Sequence, residues 1–341
     1  MTRLLQTTDA GLYCPQGNFH IDPWRPVARA VITHAHADHA RPGSAAYLAA
    51  TAGQHLMRTR LGADIDLQCL DYGETIAENG VTVSLHPAGH VLGSAQIRLE
   101  YQGEIAVVAG DYKVTPDPTC ATFEPVKCHT FVTESTFGLP IYRWETSADI
   151  FAGVDRWWRA NRDAKKTSVI FAYALGKAQR VMAGVDASTG PIYLHGATEV
   201  VTRAYRASGV ALPETKPVSA ESRKHEFAGS LVIAPPSAAG TPWMRKFEPY
   251  SDAMASGWMR VRGTRRRRAL DRGFVLSDHA DWPGLLWAIE ATGADNILVT
   301  HGSTHELARY LRERGKNADV LATHFQGEAD EPTANGAEAV E

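Results

Sequence analysis

Four side chains of the kinds that bind metals lie within six residues, directly after an apolar run. The stretch reads Thr33-His34-Ala35-His36-Ala37-Asp38-His39. In an extended backbone, His34 and His36 point to the same side, whereas the neighbours Asp38 and His39 point to different sides. Two such pairs supply ligands for two ions, so the spacing predicts a dinuclear metal site. A surface loop that collected histidines by chance is the alternative.

Further donor side chains each follow a predicted strand: His90, Asp111, Glu134 and His301. Glycines on both sides of His90 allow a tight loop with the imidazole at its tip, and we predict it as the third nitrogen ligand. A carboxylate can bridge two cations, which an imidazole cannot, so Asp111 is the candidate bridge. His301 ends the last buried strand, Asn296 to Thr300, and Glu134 follows the strand Phe131 to Thr133.

Three more residues need a choice between a functional and a structural role. Asp22 follows a predicted hairpin, Leu12 to Ile21, and either caps a turn or, as we favour, orients a metal ligand or the bridging water. His86 and His195 are each isolated at a strand, and we expect both to be hydrogen-bonded structural histidines.

The patterns between these residues predict alternating helices and strands, and thus an α/β protein. We expect helices from about Ser44 to Arg60, from Asp149 to Arg162 and from Trp282 to Ala291, and a closing helix that carries Leu307 and Leu311. From about Tyr142 to Arg268 the α/β pattern continues with almost no metal-type clustering, which indicates an inserted domain. Ligand-type residues return at His279.

Length and composition exclude several classes of protein. The chain has 341 residues and a net charge of −3, so it is not globally basic, and a nucleic acid would have to bind a local patch. No apolar run is long enough to span a membrane, and none follows the first residues as a signal would. The cysteines Cys14, Cys69, Cys120 and Cys128 form no C-x-x-C pair. We expect a cytoplasmic protein.

With these motifs in view, the sequence resembles the β-CASP nuclease branch of the metallo-β-lactamase superfamily, over nearly everything from Leu12 to about Arg314. It looks most similar to bacterial ligase-associated DNA exonucleases and also resembles mRNA 3′-end processing factors. The resemblance implies a metallo-β-lactamase αββα sandwich interrupted by an α/β β-CASP cap. The expected parts are the first part of the hydrolase domain, the cap, the last part of the hydrolase domain and a disordered acidic tail, at 1–141, 142–268, 269–325 and 326–341.

The resemblance also implies a ligand set. His34, His36 and His90 would bind one metal, and the other metal would take Asp38, His39 and His301, with Asp111 as the bridge. Glu134 and His279 match the acid and histidine motifs of the branch. Imidazole with a few carboxylates suits Zn²⁺, and without a cysteine ligand Mn²⁺ is not excluded.

These residues allow phosphodiester hydrolysis. Two divalent cations lower the pKa of a shared water and hold the phosphate oxygens for in-line attack. The leaving 3′ oxygen needs a proton, and His279, oriented by Glu134, is the candidate acid. The resemblance implies an exonuclease for DNA repair that leaves 5′-phosphates, with an ATP-dependent DNA ligase and a helicase as partners.

Alternatives remain open at this stage. An RNA-processing exo- or endoribonuclease of the same branch is one, because a histidine at the position of His301 is typical of RNA-cutting members. A small-ester hydrolase of the same fold and a non-catalytic nucleic-acid scaffold are two more.

A run of basic residues either binds the nucleic-acid backbone or is a solvated face. It consists of Arg262, Arg265, Arg266, Arg267 and Arg268. Four tryptophans either stack on bases or, for most, pack in the core: Trp157, Trp158, Trp243 and Trp258.

Overall fold

The computed structural model describes residues 4–261 and 270–323 of the chain. Over these residues the chain divides into two units. The first comprises residues 4–143, 204–210 and 278–323, and the second comprises 144–203, 211–261 and 270–277. The predicted cap overlaps the second unit without coinciding with it, and its assignment as an inserted domain stays a prediction. The predicted tail, 326–341, lies outside the described residues.

The strands are numbered in chain order. They are β1 (Gln6–Thr8), β2 (Gly11–Cys14), β3 (Phe19–Ile21), β4 (Arg29–Val31), β5 (Ala46–Ala50), β6 (Leu67–Leu70), β7 (Thr75–Glu78), β8 (Val81–Pro87), β9 (Ala95–Tyr101), β10 (Glu104–Val108), β11 (Thr130–Glu134), β12 (Thr167–Phe171), β13 (Ile192–Leu194), β14 (Lys216–Pro217), β15 (Leu231–Ala234), β16 (Tyr250–Ala255), β17 (Arg272–Phe274), β18 (Asn296–Thr300) and β19 (Asn317–Val320). The α-helices are α1 (Gln54–Leu61), α2 (Ser147–Asp163), α3 (Lys177–Gly184), α4 (Gly196–Ala207), α5 (Trp282–Thr292) and α6 (Thr304–Glu313).

Two sheets of the first unit face each other across one core. The order of the first sheet is β1-β2-β3-β4-β5-β6, and that of the second is β19-β18-β11-β10-β9-β8-β7. Residues from both sheets share one apolar cluster, which includes Phe19, Leu48, Val83 and Ile97. The opposite face of β10, β11 and β18 packs against α5 and α6 in a second cluster. Both faces of the second sheet are therefore covered, and its central strands β10, β11 and β18 carry apolar side chains on both faces.

The strands that lead to the predicted site residues lie in these two sheets. In the first sheet β3 and β4 run parallel, and in the second β10, β11 and β18 run parallel to one another. The carboxyl ends of parallel strands meet at one edge of a sheet. Side chains that follow β10, β11 and β18 are therefore brought together although they are far apart in the sequence.

The predicted helix from Ser44 to Arg60 is wrong in its first half. Residues Ala46–Ala50 form β5, which pairs in parallel with β4 and β6, and α1 begins only at Gln54. Leu48 and Ala50 enter the core between the two sheets. Apolar residues near positions 47 and 56 fit both the 3.6-residue period of a helix and the two-residue period of a strand. Pairing with two neighbouring strands decides in favour of the sheet.

Two predicted hairpins are confirmed. β2 pairs with β3, and β9 pairs with β10, both antiparallel. The second hairpin turns through Gln102 and Gly103, whose φ angles are +50° and +82°. Both central residues of a type I′ turn need positive φ, which explains the Gln-Gly pair between the two strands.

The second unit is built on one parallel sheet with the order β14-β13-β15-β12-β16-β17. Apolar side chains cover both faces of the sheet, with α2 and α3 contributing to one of the two clusters. Trp158 of α2 is fully buried and donates from its indole N–H to the carbonyl of Gly229 at 3.0 Å. In the described parts of both units, no helix has the length and apolar character that a membrane crossing requires.

Candidate metal centre

Three imidazole nitrogens converge at the ends of two strands of the first unit. β4 leads into His34 and His36, and β8 leads into the turn that carries His90. His36 Nδ1 lies 3.1 Å from His34 Nε2 and 3.1 Å from His90 Nε2. His34 and His90 are buried, whereas His36 is partly exposed, so one edge of the group reaches the surface.

Asp111 completes this group from the end of β10. Its Oδ2 lies 3.7 Å from His34 Nε2 and 3.9 Å from His90 Nε2. The preceding residue, Gly110, has a φ of +58°, and a Cβ there would lie only 2.7 Å from the side chain of Thr33. Glycine is therefore required for the backbone to pass Thr33 and place Asp111 beside the histidines.

The spacing of these four donors suits a tetrahedral cation. Bonds of about 2.1 Å from zinc to nitrogen would place the ligand atoms about 3.4 Å apart. The observed separations run from 3.1 to 3.9 Å. We name this group site A; it consists of His34, His36, His90 and Asp111.

A second group, which we name site B, consists of Asp38, His39 and His301. Asp38 Oδ2 lies 3.8 Å from His39 Nε2. The expectation that Asp38 and His39 point to different sides is wrong, because the backbone is not extended here. The N–H of Ala40 donates to the carbonyl of His36 at 2.8 Å, and this turn directs both donors into one site.

Asp111 lies against both sites. Its Oδ2 is 3.5 Å from His39 Nε2, and its Oδ1 is 3.9 Å from His301 Nε2. Oδ1 is buried and has no hydrogen-bond donor within the described residues. A buried carboxylate oxygen without a partner is unfavourable, and a cation would satisfy it. The donor set and this oxygen together fit two divalent cations that share Asp111.

The electrostatics of the two sites differ. Burial lowers the pKa of His34 and His90 well below 6.5, and neighbouring imidazoles lower both further. Both rings are therefore neutral at pH 7, the form in which imidazole binds a metal. Burial also acts to lower the pKa of His39, but three carboxylates, foremost that of Asp38, outweigh burial and raise it well above 6.5. At the other imidazole of site B, burial lowers the pKa of His301, so the carboxylates stabilise positive charge at His39 and not at both rings.

Asp22 orients His39 from the outer side of the ring. Its Oδ2 lies 2.7 Å from His39 Nδ1. The carboxylate also accepts the backbone N–H of Thr33 at 2.7 Å and the Thr33 hydroxyl at 2.5 Å. With Nδ1 bound to a carboxylate, Nε2 of His39 is left to face Asp111, which is how ligand histidines are usually held. Sequence analysis assigned no role to Thr33, although it lies directly beside the histidine cluster.

Glu134 and His279 form a buried pair beside Asp111. His279 Nδ1 lies 3.0 Å and 2.9 Å from the two carboxylate oxygens of Glu134. Glu134 also accepts the N–H of Tyr112 at 2.7 Å, and the carbonyl of Tyr112 accepts the N–H of Ala280 at 2.7 Å. Donor atoms of Asp111, Glu134 and His279 also lie close enough to hold a cation. The geometry therefore permits either proton transfer or metal binding by His279.

Backbone groups without any sequence signal hold two of these side chains. The carbonyl of Asp278 lies 2.8 Å from His90 Nδ1, so it accepts that N–H and leaves Nε2 to face site A. The N–H of Tyr112 donates to a carboxylate oxygen of Glu134 at 2.7 Å. Nearly every residue carries such backbone groups, so only the tertiary structure shows which of them matter.

The remaining candidates are not among the donors of sites A and B, or they lie outside the described residues. The basic run lies outside the described residues; it comprises Arg262, Arg265, Arg266, Arg267 and Arg268. His86 Nε2 contacts Ser84 Oγ at 3.0 Å, and His195 Nδ1 accepts the N–H of Ala197 at 3.2 Å. Trp157 and Trp158 are buried in the second unit, and Trp243 and Trp258 pack against one of its apolar clusters.

Comparison with known proteins gives partial matches. No protein-family model matches the chain. It is 33% identical over 320 residues to a protein named probable DNA ligase from Opitutus terrae, over 93% of this chain and 31% of that protein. It is 27% identical over 142 residues to endoribonuclease YSH1 of Yarrowia lipolytica, over 33% of this chain and 17% of that protein.

A third relative is cleavage and polyadenylation specificity factor subunit 3 of Dictyostelium discoideum, 30% identical over 119 residues, which are 34% of this chain and 15% of that protein. The chain thus spans less than a third of each of these relatives. Among solved structures, a protein of unknown function from Enterococcus faecalis V583 has a TM-score of 0.61 at 12% identity, over 87% of this chain and 80% of that chain. At this identity the likeness concerns the fold alone, and it is consistent with the mixed α/β class.

Proposed function

We propose that the chain is a metal-dependent nuclease of the β-CASP branch of the metallo-β-lactamase superfamily, and that it hydrolyses DNA. The observation that carries the proposal is the convergence of seven donor side chains into sites A and B, with Asp111 against both. The similarity to proteins named endoribonuclease YSH1 supports phosphodiester cleavage. An intact donor set argues against a non-catalytic scaffold, which would not need it.

In this proposal the two sites hold two divalent cations, with Zn²⁺ first and Mn²⁺ second. When bound, such cations lower the pKa of a water and neutralise charge on the phosphate. The residues of site A would hold one cation and those of site B the other, with the carboxylate of Asp111 within reach of both. Asp22 fixes the ring of His39 so that Nε2 faces the site.

His279 donates a proton to the leaving 3′ oxygen in this proposal. Glu134 accepts its Nδ1–H at 2.9 Å, which holds the ring and leaves Nε2–H for the substrate. Departure of the 3′ oxygen leaves a 5′-phosphate on one product. The Glu134–His279 pair also favours a nuclease over a small-ester hydrolase of the same fold, which needs the metals but not this pair.

The preference for DNA rests on coverage. The relative named probable DNA ligase matches 93% of this chain, whereas YSH1 of Yarrowia lipolytica matches 33%. The first match also supports the proposed link to a DNA ligase, because the matched region makes up 31% of a longer protein named probable DNA ligase; that the ligase is ATP-dependent rests on the resemblance of the motifs. Exonuclease action, a role in repair and a helicase partner belong to the same proposal and rest on the resemblance of the motifs.

RNA cleavage is the second candidate. It is favoured by the similarity to several proteins named endoribonuclease YSH1. It is also favoured by His301, since a histidine at this motif position is typical of RNA-cutting members. An RNA-specific site would contain groups that bind the 2′-hydroxyl.

Matched DNA and RNA strands of one sequence, labelled at either end, test both candidates. We expect DNA to be shortened progressively from one end in the presence of Zn²⁺ or Mn²⁺, with 5′-phosphorylated products. The salt concentration is held constant because backbone binding depends on it. RNA cleaved at least tenfold faster than DNA, or internal cuts in a circular strand, would overturn the assignment to a DNA exonuclease.

A further inference from the structure

Two buried serines each contact one of the turns that carry a histidine of the metal sites. Ser94 follows the turn with His90, and Ser135 follows Glu134 at the end of β11. Ser94 is 2% exposed and Ser135 is 0% exposed. Neither serine is a member of site A or site B as defined above. Both make hydrogen bonds to the backbone of a ligand-bearing turn.

Ser135 holds the turn with His301 by two groups. Its hydroxyl lies within hydrogen-bonding reach of the carbonyls of Thr300 and His301. Its own carbonyl accepts the N–H of Ser303 at 2.9 Å. The fit is close, because a Cβ on Gly302 would lie 2.4 Å from the carbonyl oxygen of Ser135.

This contact matters because His301 has an uncommon backbone conformation. Its φ is +58°, in the left-handed region that non-glycine residues seldom adopt. Such a residue keeps this conformation only when its surroundings enforce it. Ser135 is itself fixed by β11, whose Glu134 pairs with Thr300 of β18. The hydroxyl of Ser135 therefore acts on the conformation that aims His301 into site B.

Ser94 holds the turn with His90 by the opposite hydrogen-bond polarity. Its Oγ accepts the N–H of His90 at 3.1 Å and the N–H of Val91 at 3.3 Å. Its carbonyl accepts the N–H of Ala88 at 3.1 Å and the hydroxyl of Tyr72 at 2.9 Å. Loss of the Ser94 hydroxyl would leave the buried N–H groups of His90 and Val91 without this acceptor. His90 is a donor of site A.

We propose that Ser94 and Ser135 are positioning residues that each act on one ion: Ser94 on the ion at site A, and Ser135 on the ion at site B. The inference rests on the dinuclear site of the proposed function and on the separate hydrogen bonds of the two serines. Partners that orient metal ligands commonly change metal affinity by about 10- to 100-fold when they are removed.

Three variants of the full chain test this inference by metal binding. Ser94→Ala and Ser135→Ala are compared with Ser230→Ala, a matched control in the second unit. Ser230 is likewise 0% exposed and donates its hydroxyl to a backbone carbonyl, that of Phe227, at 2.7 Å. Zn²⁺ bound per chain is measured by equilibrium dialysis against buffered free Zn²⁺. We expect each of the first two variants to weaken one ion by about 10- to 100-fold and Ser230→Ala to weaken neither.

Ligand variants identify the ion that each serine affects. In a His301→Ala background, Ser135→Ala should not weaken the remaining ion further, whereas Ser94→Ala should. In a His90→Ala background, Ser94→Ala should not weaken the remaining ion further, whereas Ser135→Ala should. This is the result expected for residues that are coupled only within one site. Equal weakening of both ions by either serine variant, or no more weakening than with Ser230→Ala, would overturn the inference.

Two additional measurements keep the test decisive. If Ser135→Ala does not fold, as judged by circular dichroism, Ser135→Cys retains a similar volume and a weaker donor. It should weaken one ion by less than tenfold, and wild-type binding of both ions would contradict the inference. Metal binding needs no substrate, so it separates the two proposals. If each serine variant weakens one ion but the wild-type protein has no nuclease activity, only the proposed function is refuted. If the wild-type protein is an active nuclease but each serine variant weakens both ions equally, only the positioning roles are refuted.

Discussion

The strand ends of the two units have similar geometry but different residues. In the first unit, strands of both sheets lead into the donors of sites A and B and into Glu134. In the second unit, β12, β13, β15, β16 and β17 run parallel, so their carboxyl ends also lie along one edge. Within the described residues, His195 alone directly follows one of these strands as a metal-type side chain.

This comparison shows that a shared sheet edge does not by itself make a site. Parallel strands bring their ends together in both units, but among residues 4–261 and 270–323 the clustered imidazoles and carboxylates lie in the first unit. His195 instead accepts the N–H of Ala197 near the start of α4 and lies beside the ring of Trp243. The candidate metal centre of the first unit thus differs from the strand end at His195 in its residue types and in the partners that orient them.

Asp111→Ala should have the largest effect, because this carboxylate contacts both sites. We expect loss of metal and a fall in nuclease activity on the order of 10³-fold or more, since the ions supply several kcal/mol of charge stabilisation. His195→Ala, at a strand end of the second unit, should keep the metal content and the activity. Elemental analysis and end-labelled DNA report the two quantities. One metal equivalent in fully active wild-type protein would contradict the dinuclear arrangement.

His279→Ala tests whether the pair with Glu134 serves proton transfer or metal binding. We expect both ions to remain and the rate to fall by roughly 10²–10⁴-fold, the usual contribution of a general acid. A nitrophenyl phosphodiester, whose leaving group needs no proton, should recover much of that loss. His86→Ala, at a half-buried histidine of the same unit, is the control. Loss of an ion from the His279 variant would show that His279 is a ligand.

Removal of metal should change the two units differently. At free Zn²⁺ 100-fold above its dissociation constant, a bound ion stabilises the folded state by about 2.7 kcal/mol, equivalent to roughly 100-fold slower exchange of coupled amides. A chelator should therefore speed hydrogen exchange in the turns at residues 34–39, 88–94 and 301–303. Strands β12 and β15 of the second unit should exchange at unchanged rates. A uniform change across both units would contradict local binding at sites A and B.

His195 should produce the smallest effect, on the pH dependence of stability. Burial lowers the pKa of His195 from 6.5. Below pH 6.5 the unfolded chain takes up a proton that the folded chain resists, so stability falls as the pH decreases through this range. We expect His195→Asn, which can still accept the N–H of Ala197, to remove this loss. The difference should stay below about 1 kcal/mol because the ring is partly solvated. Urea unfolding at pH 7 and pH 5 measures it, and equal pH dependence in both proteins would exclude this contribution.

Several elements could be predicted because their patterns are local. The hairpin at Gln102-Gly103 follows from turn chemistry, and the strand Asn296–Thr300 follows from a short apolar run before a histidine. The predicted helix start at Ser44 was wrong because an apolar run of this length fits the periodicity of a helix and that of a strand equally well. Only pairing of Ala46–Ala50 with β4 and β6 distinguishes them, and neither contact is visible in the local sequence.

The sequence by itself determined the residue types at the strand ends, since a cluster of imidazoles and carboxylates such as His34 to His39 carries its chemistry wherever it lies. The resemblance already implied how those donors group, but only the tertiary structure decided the distances between them and the backbone turn that brings Asp38 and His39 to the same side. The turn at Ala40 places Asp38 and His39 in one site, and Asp111 comes between two sets of ligands. The same holds for the Asp278 carbonyl, Ser94 and Ser135. Their partners are brought together by chain packing, and a local pattern contains no information about such distant contacts.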